Sequence, residues 1–199
     1  MVASLEGGAV NLRELDIAGV YVAESRVFAD DRGFFREWFK LSDFQGAGLH
    51  FATEQSNLSM SSRNVVRGLH YSLAPRGQAK VVTCVYGTID DVVVDVRVGS
   101  PTFGAVVTVP LAADRGTSVV LPAGVAHGFC VTSETALLSY LLSSPFDAPH
   151  ELEINPLDRA IDVPWALSGE PILSEKDAAA PSLAERHAAG ELPRYEHFA

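Results

Sequence analysis

Short apolar stretches alternate with turn residues along the chain from residue 19 to residue 142. The stretches with the apolar and β-branched residues typical of strands are 19–28, 34–40, 51–60, 65–71, 80–86, 89–98, 105–110, 118–121, 129–132 and 136–142. Turns rich in Gly, Pro and Asp separate many of them at intervals of about 8–12 residues, which is typical of a β-sandwich or β-barrel. The pattern therefore predicts an all-β fold, and we expect a β-jelly-roll barrel.

Residues 89–98 give the clearest alternation of the two faces of a strand. The even positions carry four valines, which we expect to share one face. The opposite face carries Asp91, Asp95 and Arg97, interrupted only by Val93. This strand is therefore predicted to be apolar on one side and mostly charged on the other.

The first part of the chain is less regular. Residues 1–11 are small and polar, and we expect them to lie loosely on the surface. Residues 41–48 favour one or two helical turns, with Ser42 as the N-cap.

The pattern weakens again over residues 156–199, which carry five prolines. The alanines at 178–180 and the stretch 183–189 suggest a short C-terminal helix. Because Trp165, Ile172 and Leu173 need burial, we expect this tail to pack against the barrel.

Length and charge restrict the possible functions. A chain of 199 residues suits one domain, which we expect to span residues 1–199. The net charge of −10 and the pI near 4.9 argue against a surface for nucleic acid or anionic membranes. An anionic ligand would therefore need a local cluster of Arg and Lys.

The sequence favours a cytoplasmic location. Cys84 and Cys130 lie in apolar stretches without metal-ligand spacing, and we interpret them as buried thiols in a reducing compartment. The first ten residues lack the basic head and apolar core of a signal peptide. No run approaches the 18 or so apolar residues of a membrane span.

The segment Arg67-Gly68-Leu69-His70-Tyr71 brings a cation and an imidazole close to a glycine. In a regular strand Arg67, Leu69 and Tyr71 would share one face, and Gly68 and His70 the other, unless a bulge intervenes. A histidine on an inward face needs a hydrogen-bond partner or a function. From this segment alone, a satisfied core histidine and a functional one both remain open.

The stretch 121–129 contains Pro-x-Gly-x-x-His ending at His127, which resembles the second motif of the cupin superfamily. The first cupin metal motif would fall at His70, but Ser72 replaces its second histidine and no glutamate follows before Lys80. A catalytic zinc or iron site typically has three protein ligands, and only two histidines are available. We therefore expect a cupin-like barrel without a metal, and a metal-dependent cupin isomerase or dioxygenase is the weaker alternative.

Further motifs occur in order along almost the whole chain. They are ADDRGFFREWF (29–39), Gln55-x-Asn57, VVRGLHY (65–71), GQAKV (77–81), GSPTFG (99–104), PAGVAHGF (122–129) and SEKDAAAP (174–181). Over roughly residues 15–185 the chain resembles the dTDP-4-dehydrorhamnose 3,5-epimerase family. The resemblance implies a jelly-roll homodimer that needs no metal or organic cofactor and acts on a dTDP-linked 4-keto-6-deoxy sugar.

The resemblance also implies a mechanism. Carbons beside the C4 ketone lose a proton to give an enolate, and inversion needs a base on one face of the sugar and an acid on the other. His70 matches the family's base and Asp177 its orienting carboxylate, although Asp177 alone would be interpreted as a helix N-cap. Tyr140 matches the acid, and its alternative is an interior tyrosine. Lys80 matches a lysine directed at the C4 oxygen, and its alternative is an edge-strand lysine.

A second set of residues matches the family's binding positions. Those that hold the diphosphate or its surroundings are Arg32, Arg67 and Lys176. Those near the nucleotide or the sugar are Glu37, Gln55, Asn57 and Glu151. His127 matches a pocket histidine, and Phe146 stands where the family usually carries a tyrosine or tryptophan stacked on thymine.

Two departures from the family pattern bear on the outcome of the reaction. Ser56 replaces an aspartate common between the Gln and the Asn, and Leu141 replaces a basic residue common after the tyrosine. Inversion at C3, at C5 or at both therefore stays open. A non-catalytic nucleotide-sugar-binding cupin is the alternative from another functional class.

Overall fold

The computed structural model describes residues 10–73, 75 and 77–197. The strands are β1 (Val10–Glu14), β2 (Tyr21–Ser25), β3 (Val27–Asp30), β4 (Gly33–Arg36), β5 (Gln55–Ser62), β6 (Val66–Ser72), β7 (Lys80–Tyr86), β8 (Thr88–Val94), β9 (Val106–Ala112), β10 (Thr117–Leu121), β11 (Ala126–Val131), β12 (Thr135–Leu142) and β13 (Glu151–Glu153). The helices are α1 (Leu41–Gly46), α2 (Glu175–Ala178) and α3 (Leu183–Ala188), with 3-10 turns at Ala148–His150 and Tyr195–His197. The predicted all-β class is confirmed.

The strands form two facing sheets and a separate hairpin. The six-stranded sheet has the order β1-β2-β10-β7-β12-β5, and the five-stranded sheet has the order β13-β6-β11-β8-β9. Every described pair of these strands is antiparallel, as is the β3–β4 hairpin. Side chains from both sheets, such as Val82, Leu138, Val93 and Phe129, meet in one apolar core. This arrangement is the predicted jelly-roll barrel.

Strand β8 follows the predicted alternation but ends early, at Val94. Val92 and Val94 point away from the barrel core, and Val93 points into it. Beyond the strand, the Asp95 carboxylate binds the Arg97 guanidinium at 2.9 Å and turns the chain. The predicted strand over residues 89–98 is therefore wrong beyond Val94, where Val98 forms only an isolated bridge with Arg194.

The C-terminal tail covers the outer face of the five-stranded sheet. Ile154, Ile161 and Leu192 are buried there, and Trp165 packs at the margin. The expectation that Ile172 is buried is wrong, since its side chain is 53% exposed. Its backbone holds the segment instead, by hydrogen bonds with residues 64 and 66.

A segment around α1 covers part of the outer face of the six-stranded sheet. Phe44 and Phe51 pack there against residues of β1, β2, β7 and β10. The residue that precedes the helix is Lys40, in an extended conformation, so Ser42 lies inside the first turn and the predicted N-cap is wrong. Burial of the Phe44 ring fixes this short helix, because tertiary packing outweighs local capping in a helix of this length.

Several boundaries differ from the sequence prediction. The stretch 19–28 divides into β2 and β3, and only the first residues of 34–40 form a strand. Val10 and Asn11, expected to be loose, belong to β1, where Val10 is buried and pairs with Ser25. Residues 1–9 of that loose segment lie outside the described residues.

The predicted C-terminal helix over 178–189 is two helices. Pro181 separates them, because proline cannot continue the hydrogen-bonding pattern of a helix. Ser174 caps α2 and Ser182 caps α3 through side-chain hydrogen bonds. Within the described ranges, no helix is long and apolar enough to cross a membrane.

Candidate active site

A cavity of about 830 Å³ opens between the two sheets and is closed on one side by the segment that carries α2. Ten of the thirteen site residues predicted from the sequence line it. They are His70, Tyr140, Asp177, Lys80, Asn57, Arg67, His127, Phe146, Glu151 and Lys176. Since these residues come from six strands, the loop after β12 and one helix, only the folded barrel brings them together.

A bulge in β6 directs two of these side chains into the same cavity. His70 pairs with His127 of β11, whereas Arg67 pairs with Phe129, so three steps along β6 match two along β11. The extra residue places Arg67 and His70 on the cavity side, while Leu69 turns into the core under the tail. The face assignment that put Arg67 with Leu69 is therefore wrong, because the bulge interrupts the alternation.

Two glycines permit this bulge. Gly68 has a φ of 122°, and a Cβ atom there would lie 2.6 Å from the Cα of Gly128. A Cβ on Gly128 would in turn lie 2.7 Å from the carbonyl oxygen of Arg67. Strands β6 and β11 can approach this closely only where both residues lack a side chain.

His70 and Asp177 form a hydrogen-bonded pair on one wall of the cavity. His70 Nε2 lies 2.7 Å from Asp177 Oδ1, and Asp177 is buried while the imidazole is partly exposed. Burial raises the pKa of Asp177, but the hydrogen bond and charge of His70, with help from Ser174 and the backbone of Gly68, outweigh it and lower the pKa. The carboxylate is therefore anionic near neutral pH and can hold the imidazole in one orientation.

Asp177 is positioned by the cap of helix α2. Its backbone N–H donates to Ser174 Oγ at 3.0 Å, which makes Ser174 the N-cap and Asp177 the third residue of the helix. The alternative interpretation of Asp177 as an N-cap is therefore wrong. The capped turn directs its carboxylate to the strand that carries His70.

Tyr140 and Lys80 project from the other sheet. Tyr140 lies on β12 with its hydroxyl 3.0 Å from Ser59 Oγ, and burial together with nearby Asp91 raises its pKa above the usual value. Lys80 begins β7, and burial lowers its pKa while the charge of Glu151 opposes the change. The wall opposite His70 thus offers a phenol whose raised pKa keeps it protonated near neutral pH, and the amino group of Lys80.

The cavity is richer in cations than the molecule as a whole. Its lining contains the cations Arg67, Lys80 and Lys176 and the carboxylates Glu151 and Asp177, although the net charge of the chain is −10. Arg67 Nε donates to Ser61 Oγ at 3.0 Å, which leaves the rest of its guanidinium for a ligand. Lys176 Nζ lies 2.8 Å from Glu153. The cavity therefore has the local cluster of Arg and Lys side chains that an anionic ligand would need in a chain of negative net charge.

Three predicted site residues are absent from the lining formed by the described part of the chain. Arg32 lies at the tip of the β3–β4 hairpin, fully exposed and paired with Asp30, and Glu37 is exposed just beyond this hairpin. Gln55 lies behind the rim, where it donates to Asn57 and accepts from the backbone N–H of Phe146. Gln55 therefore supports two lining residues from behind.

Two hydrogen-bond partners of the site residues were not predicted from the sequence: Asp91, which binds His127, and Ser59, which binds Tyr140. Asp91 is fully buried and its Oδ2 lies 2.8 Å from Nε2 of His127. The available signal was a carboxylate between Ile89 and Val93 on the inward face of an apolar strand, where an unpaired charge is costly. Ser59, by contrast, is an ordinary polar strand residue that no local pattern singles out.

A metal site would need several His, Cys, Asp or Glu side chains close together. Within residues 10–73, 75 and 77–197, there is no group of three or more His, Cys, Asp and Glu side chains that could hold a metal ion. Both cysteines are buried free thiols, as predicted. Burial raises the pKa of Cys130 to about 11, so this thiol is not activated.

The fold defines a cupin-like jelly-roll protein, and its cavity brings together basic, carboxylate, imidazole and phenol side chains. The chain belongs to the dTDP-4-dehydrorhamnose 3,5-epimerase family, whose family model matches residues 14–185. The resemblance inferred from the ordered motifs is thereby confirmed.

Named relatives cover nearly the whole chain. The dTDP-4-dehydro-6-deoxyglucose 3-epimerase of Streptomyces bikiniensis is 42% identical and covers 93% of this chain and 95% of its own. The dTDP-4-dehydrorhamnose 3,5-epimerase of Mycolicibacterium smegmatis is 44% identical, with coverage of 92% and 90%. Similarity thus extends equally to an enzyme named for one centre and to one named for two.

Solved structures agree with this family assignment. The crystal structure of NovW, a 4-keto-6-deoxy sugar epimerase from the novobiocin cluster of Streptomyces spheroides, matches with a TM-score of 0.92 and 42% identity over 97% of both chains. ChmJ, a 3'-monoepimerase from Streptomyces bikiniensis in complex with dTDP-quinovose, matches with a TM-score of 0.90 and 42% identity, over 93% of this chain and 94% of its own.

Proposed function

We propose that this protein is an epimerase that inverts a carbon beside the C4 ketone of a dTDP-linked 4-keto-6-deoxyhexose. One observation carries the proposal: a carboxylate-held imidazole, His70, and a protonated phenol, Tyr140, extend into one cavity from opposite sheets. Inversion requires a base and an acid on opposite faces of the same carbon. The relatives named as epimerases of dTDP-sugars support the substrate class.

The proposed reaction begins at His70. Its neutral imidazole takes the proton from C3 or C5, and the electron pair of the C–H bond moves through the adjacent carbon to the C4 oxygen, which gives an enolate. The Asp177 carboxylate stabilises the imidazolium that forms. Lys80 donates a hydrogen bond to the enolate oxygen, where negative charge develops.

Reprotonation completes the inversion. The Tyr140 phenol gives its proton to the same carbon from the opposite face, and the C4 carbonyl re-forms. The resulting phenolate recovers a proton from solvent, and His70 releases the one that it took. Burial is the largest cause of the raised pKa of Tyr140. Because this pKa is raised, the phenol is protonated before this step.

The remaining cavity residues bind the nucleotide and the sugar in this proposal. Arg67 and Lys176 take the diphosphate, for which a planar guanidinium and a flexible ammonium are both suited. The Phe146 ring is 64% exposed at the rim, where a thymine ring can stack on it. Asn57, Glu151 and His127 contact the sugar or the nucleotide from the cavity wall.

Solvent-deuterium exchange tests the proposal and identifies the centre. The purified protein is incubated with the dTDP-4-keto-6-deoxy sugar in deuterated buffer, and proton NMR follows the signals at C3 and C5. We expect loss of signal at C3, at C5 or at both, together with a change in ring couplings on inversion. Tight binding of the dTDP-sugar with no exchange at either carbon would instead identify a non-catalytic binding protein.

We also propose that the protein is a homodimer. Leu58 and Met60 of the edge strand β5 are 68% and 69% exposed, and the hairpin exposes Phe28, Phe34 and Phe35. Apolar surface on this scale is typical of an interface. Arg32 and Glu37 match family binding positions yet lie outside their own cavity, so in a dimer the β3–β4 hairpin would supply them to the cavity of the second copy.

Complementation between two inactive variants tests this exchange of residues. His70→Asn and Arg32→Ala chains are mixed, denatured and refolded together. If Arg32 acts in the partner's cavity, each mixed dimer has one site with both native residues, and about a quarter of the wild-type activity returns in a statistical mixture. If Arg32 acts in its own chain, the mixture stays as inactive as its parents.

We propose a cytoplasmic location for this enzyme. Both cysteines are reduced in the described structure, and a buried unpaired thiol is typical of a reducing compartment. Cell fractionation with an antibody against the protein would test this.

A further inference from the structure

A second histidine–carboxylate pair lies inside the barrel, next to the first. His127 and His70 are direct partners on the adjacent strands β11 and β6, and both line the cavity. Side chains at such paired positions have Cβ atoms about 4.5–5.5 Å apart. Each imidazole has its own carboxylate, since Asp177 binds His70 and Asp91 binds His127.

The position of Asp91 is costly for the fold. Its side chain has no solvent exposure and shares the inward face of β8 with Ile89 and Val93, within the main apolar core. Its Oδ2 contacts His127, whereas no polar atom of the described residues binds its Oδ1. Burial raises the pKa of Asp91, and the charge and hydrogen bond of His127 oppose this rise. A buried carboxylate with one free oxygen stabilises a fold poorly, which points to a functional reason for it.

The Asp91 contact determines what His127 offers to a ligand. A carboxylate beside Nε2 favours the proton on that nitrogen, so Nδ1 of the neutral ring is left as an acceptor. An imidazole in this tautomer accepts a hydrogen bond from a sugar hydroxyl, and when protonated it donates one to a sugar or phosphate oxygen. Without the carboxylate, the two tautomers of His127 would compete.

We propose that Asp91 is a positioning residue for the reaction, which fixes the tautomer and ring orientation of His127 beside the base His70. This inference rests on the proposed function. It does not require Asp91 to touch the substrate, because the carboxylate lies behind the imidazole and acts through it.

The charge of Asp91 also acts on the acid of the reaction. Ser59 on β5 binds the Tyr140 hydroxyl, and the charged groups that shift the pKa of Tyr140 are Arg67 on β6, Cys84 on β7 and Asp91 on β8. The charges of Asp91 and Cys84 raise the pKa of Tyr140, whereas Ser59 and Arg67 lower it, and burial is the largest cause of the net rise. Loss of the Asp91 charge should therefore move the alkaline limb of the inversion rate to lower pH.

The test compares Asp91→Asn with Asp90→Asn. Asp90 is the next residue on β8 and points to the opposite face, so its variant is a matched control with the same chemical change. We expect Asp91→Asn to lower kcat about 10–100-fold, the usual cost of disrupting a group behind a functional histidine. Asp90→Asn should keep the wild-type kcat. Equal and wild-type rates for both variants would overturn the inference.

A double-mutant cycle separates action through His127 from other effects. If Asp91 acts through the imidazole, Asp91→Asn should cost little further activity in a His127→Asn background. Independent, multiplying losses would contradict the proposed route. A purely structural role would lower the unfolding temperature of Asp91→Asn and leave kcat unchanged, and this pattern also overturns the inference.

Nitrogen-15 NMR of the histidine rings in the intact wild-type protein gives a readout that does not depend on folding of the variant. We expect the His127 signal, assigned by its loss in His127→Asn, to show protonated Nε2 and unprotonated Nδ1 near neutral pH. The opposite tautomer would refute the positioning role. Failure of the proposed function is distinguishable, because wild-type protein would then show no deuterium exchange at all.

Discussion

At the scale of single residues, two groups decide whether this cavity can invert a carbon. His70 lines the cavity with its Nε2 held by Asp177, and Tyr140 lines it from the other sheet with Ser59 bound to its hydroxyl. The two side chains differ in their chemistry, because an imidazole has a nitrogen that can accept a proton and a phenol with a raised pKa has a proton to give. Their separate loss should therefore have separate consequences.

Replacement of His70 by Asn should abolish deuterium exchange at every substrate carbon. The asparagine has no basic nitrogen, and loss of a general base typically costs about 10²–10⁴-fold in rate. Proton NMR in deuterated buffer measures the effect, and His50→Asn, on an exposed residue outside the cavity lining, is the matched control. Exchange at the wild-type rate in His70→Asn would exclude His70 as the base.

Replacement of Tyr140 by Phe should separate exchange from inversion. His70 can still remove a proton and return deuterium to the same face, but the acid on the opposite face is missing. We expect exchange to persist while inverted product falls about 10²–10⁴-fold. NMR reads both quantities in one sample, and Tyr86→Phe, at an exposed position, should retain both. Inversion at the wild-type rate in Tyr140→Phe would assign the acid elsewhere.

At the scale of elements, the bulge of β6 and the capped turn of α2 bring His70 and Asp177 together. The bulge turns His70 to the same side as Arg67, and the Ser174 cap holds Asp177 against that strand. Neither element is long: the bulge depends on the close approach of β6 and β11 at Gly68 and Gly128, and the turn depends on the Ser174 cap. Their energetics are therefore open to direct test.

Replacement of Gly68 by Ala should destabilise the barrel strongly. The residue has positive φ, and the new Cβ would lie 2.6 Å from the backbone of Gly128, so a clash adds to a conformational cost of about 1–3 kcal/mol. Gly48→Ala is the matched control, because Gly48 also has positive φ, 80°, but open space around it. Urea unfolding compares the two, and an equal loss of stability would mean that β6 moves away from β11 without cost.

Replacement of Asp177 by Asn should change how stability responds to acid. The pKa of Asp177 in the folded protein is below its ordinary value of 3.8, so its stabilising effect is full above that value and is lost as pH falls through the folded pKa. Urea midpoints of the wild type should therefore fall more steeply from pH 5 to pH 3 than those of Asp177→Asn. Parallel curves would mean that the carboxylate contributes nothing to stability.

At the scale of the whole molecule, exposed apolar surface and the position of Arg32 both bear on the proposed dimer. Edge strand β5 and the β3–β4 hairpin expose large apolar side chains, and the hairpin also carries Arg32 away from its own cavity. A dimer would bury these apolar side chains and would place Arg32 at the cavity of the second copy.

Replacement of Met60 by Asp should therefore dissociate the proposed dimer. Met60 is 69% exposed in the single chain, and a carboxylate at the centre of an interface would be buried without a partner. Sedimentation velocity at micromolar concentration should report a monomer, with activity lost in parallel. Leu157→Asp, which places the same charge on an exposed residue of the tail, should stay dimeric. A monomeric wild type would refute the dimer proposal directly.

The sequence by itself determined the all-β class, the jelly-roll barrel and the family. Strand alternation and turn chemistry are local properties, and the ordered motifs can be recognised without coordinates. Most candidate site residues could be named in the same way, since ten of the thirteen lie in these motifs and only Tyr140, Phe146 and Glu151 lie outside them. The alternation of β8 placed Asp91 on a face expected to be mostly charged, and only the structure shows that this carboxylate is buried against His127.

The tertiary structure alone decided which side chains meet. The bulge that joins Arg67 to His70 depends on the register with β11, and register is set between strands rather than within one. The same is true of Asp91 with His127 and of the backbone pairing that holds exposed Ile172. These contacts join positions far apart in the chain, and their geometry follows from packing that no local pattern contains.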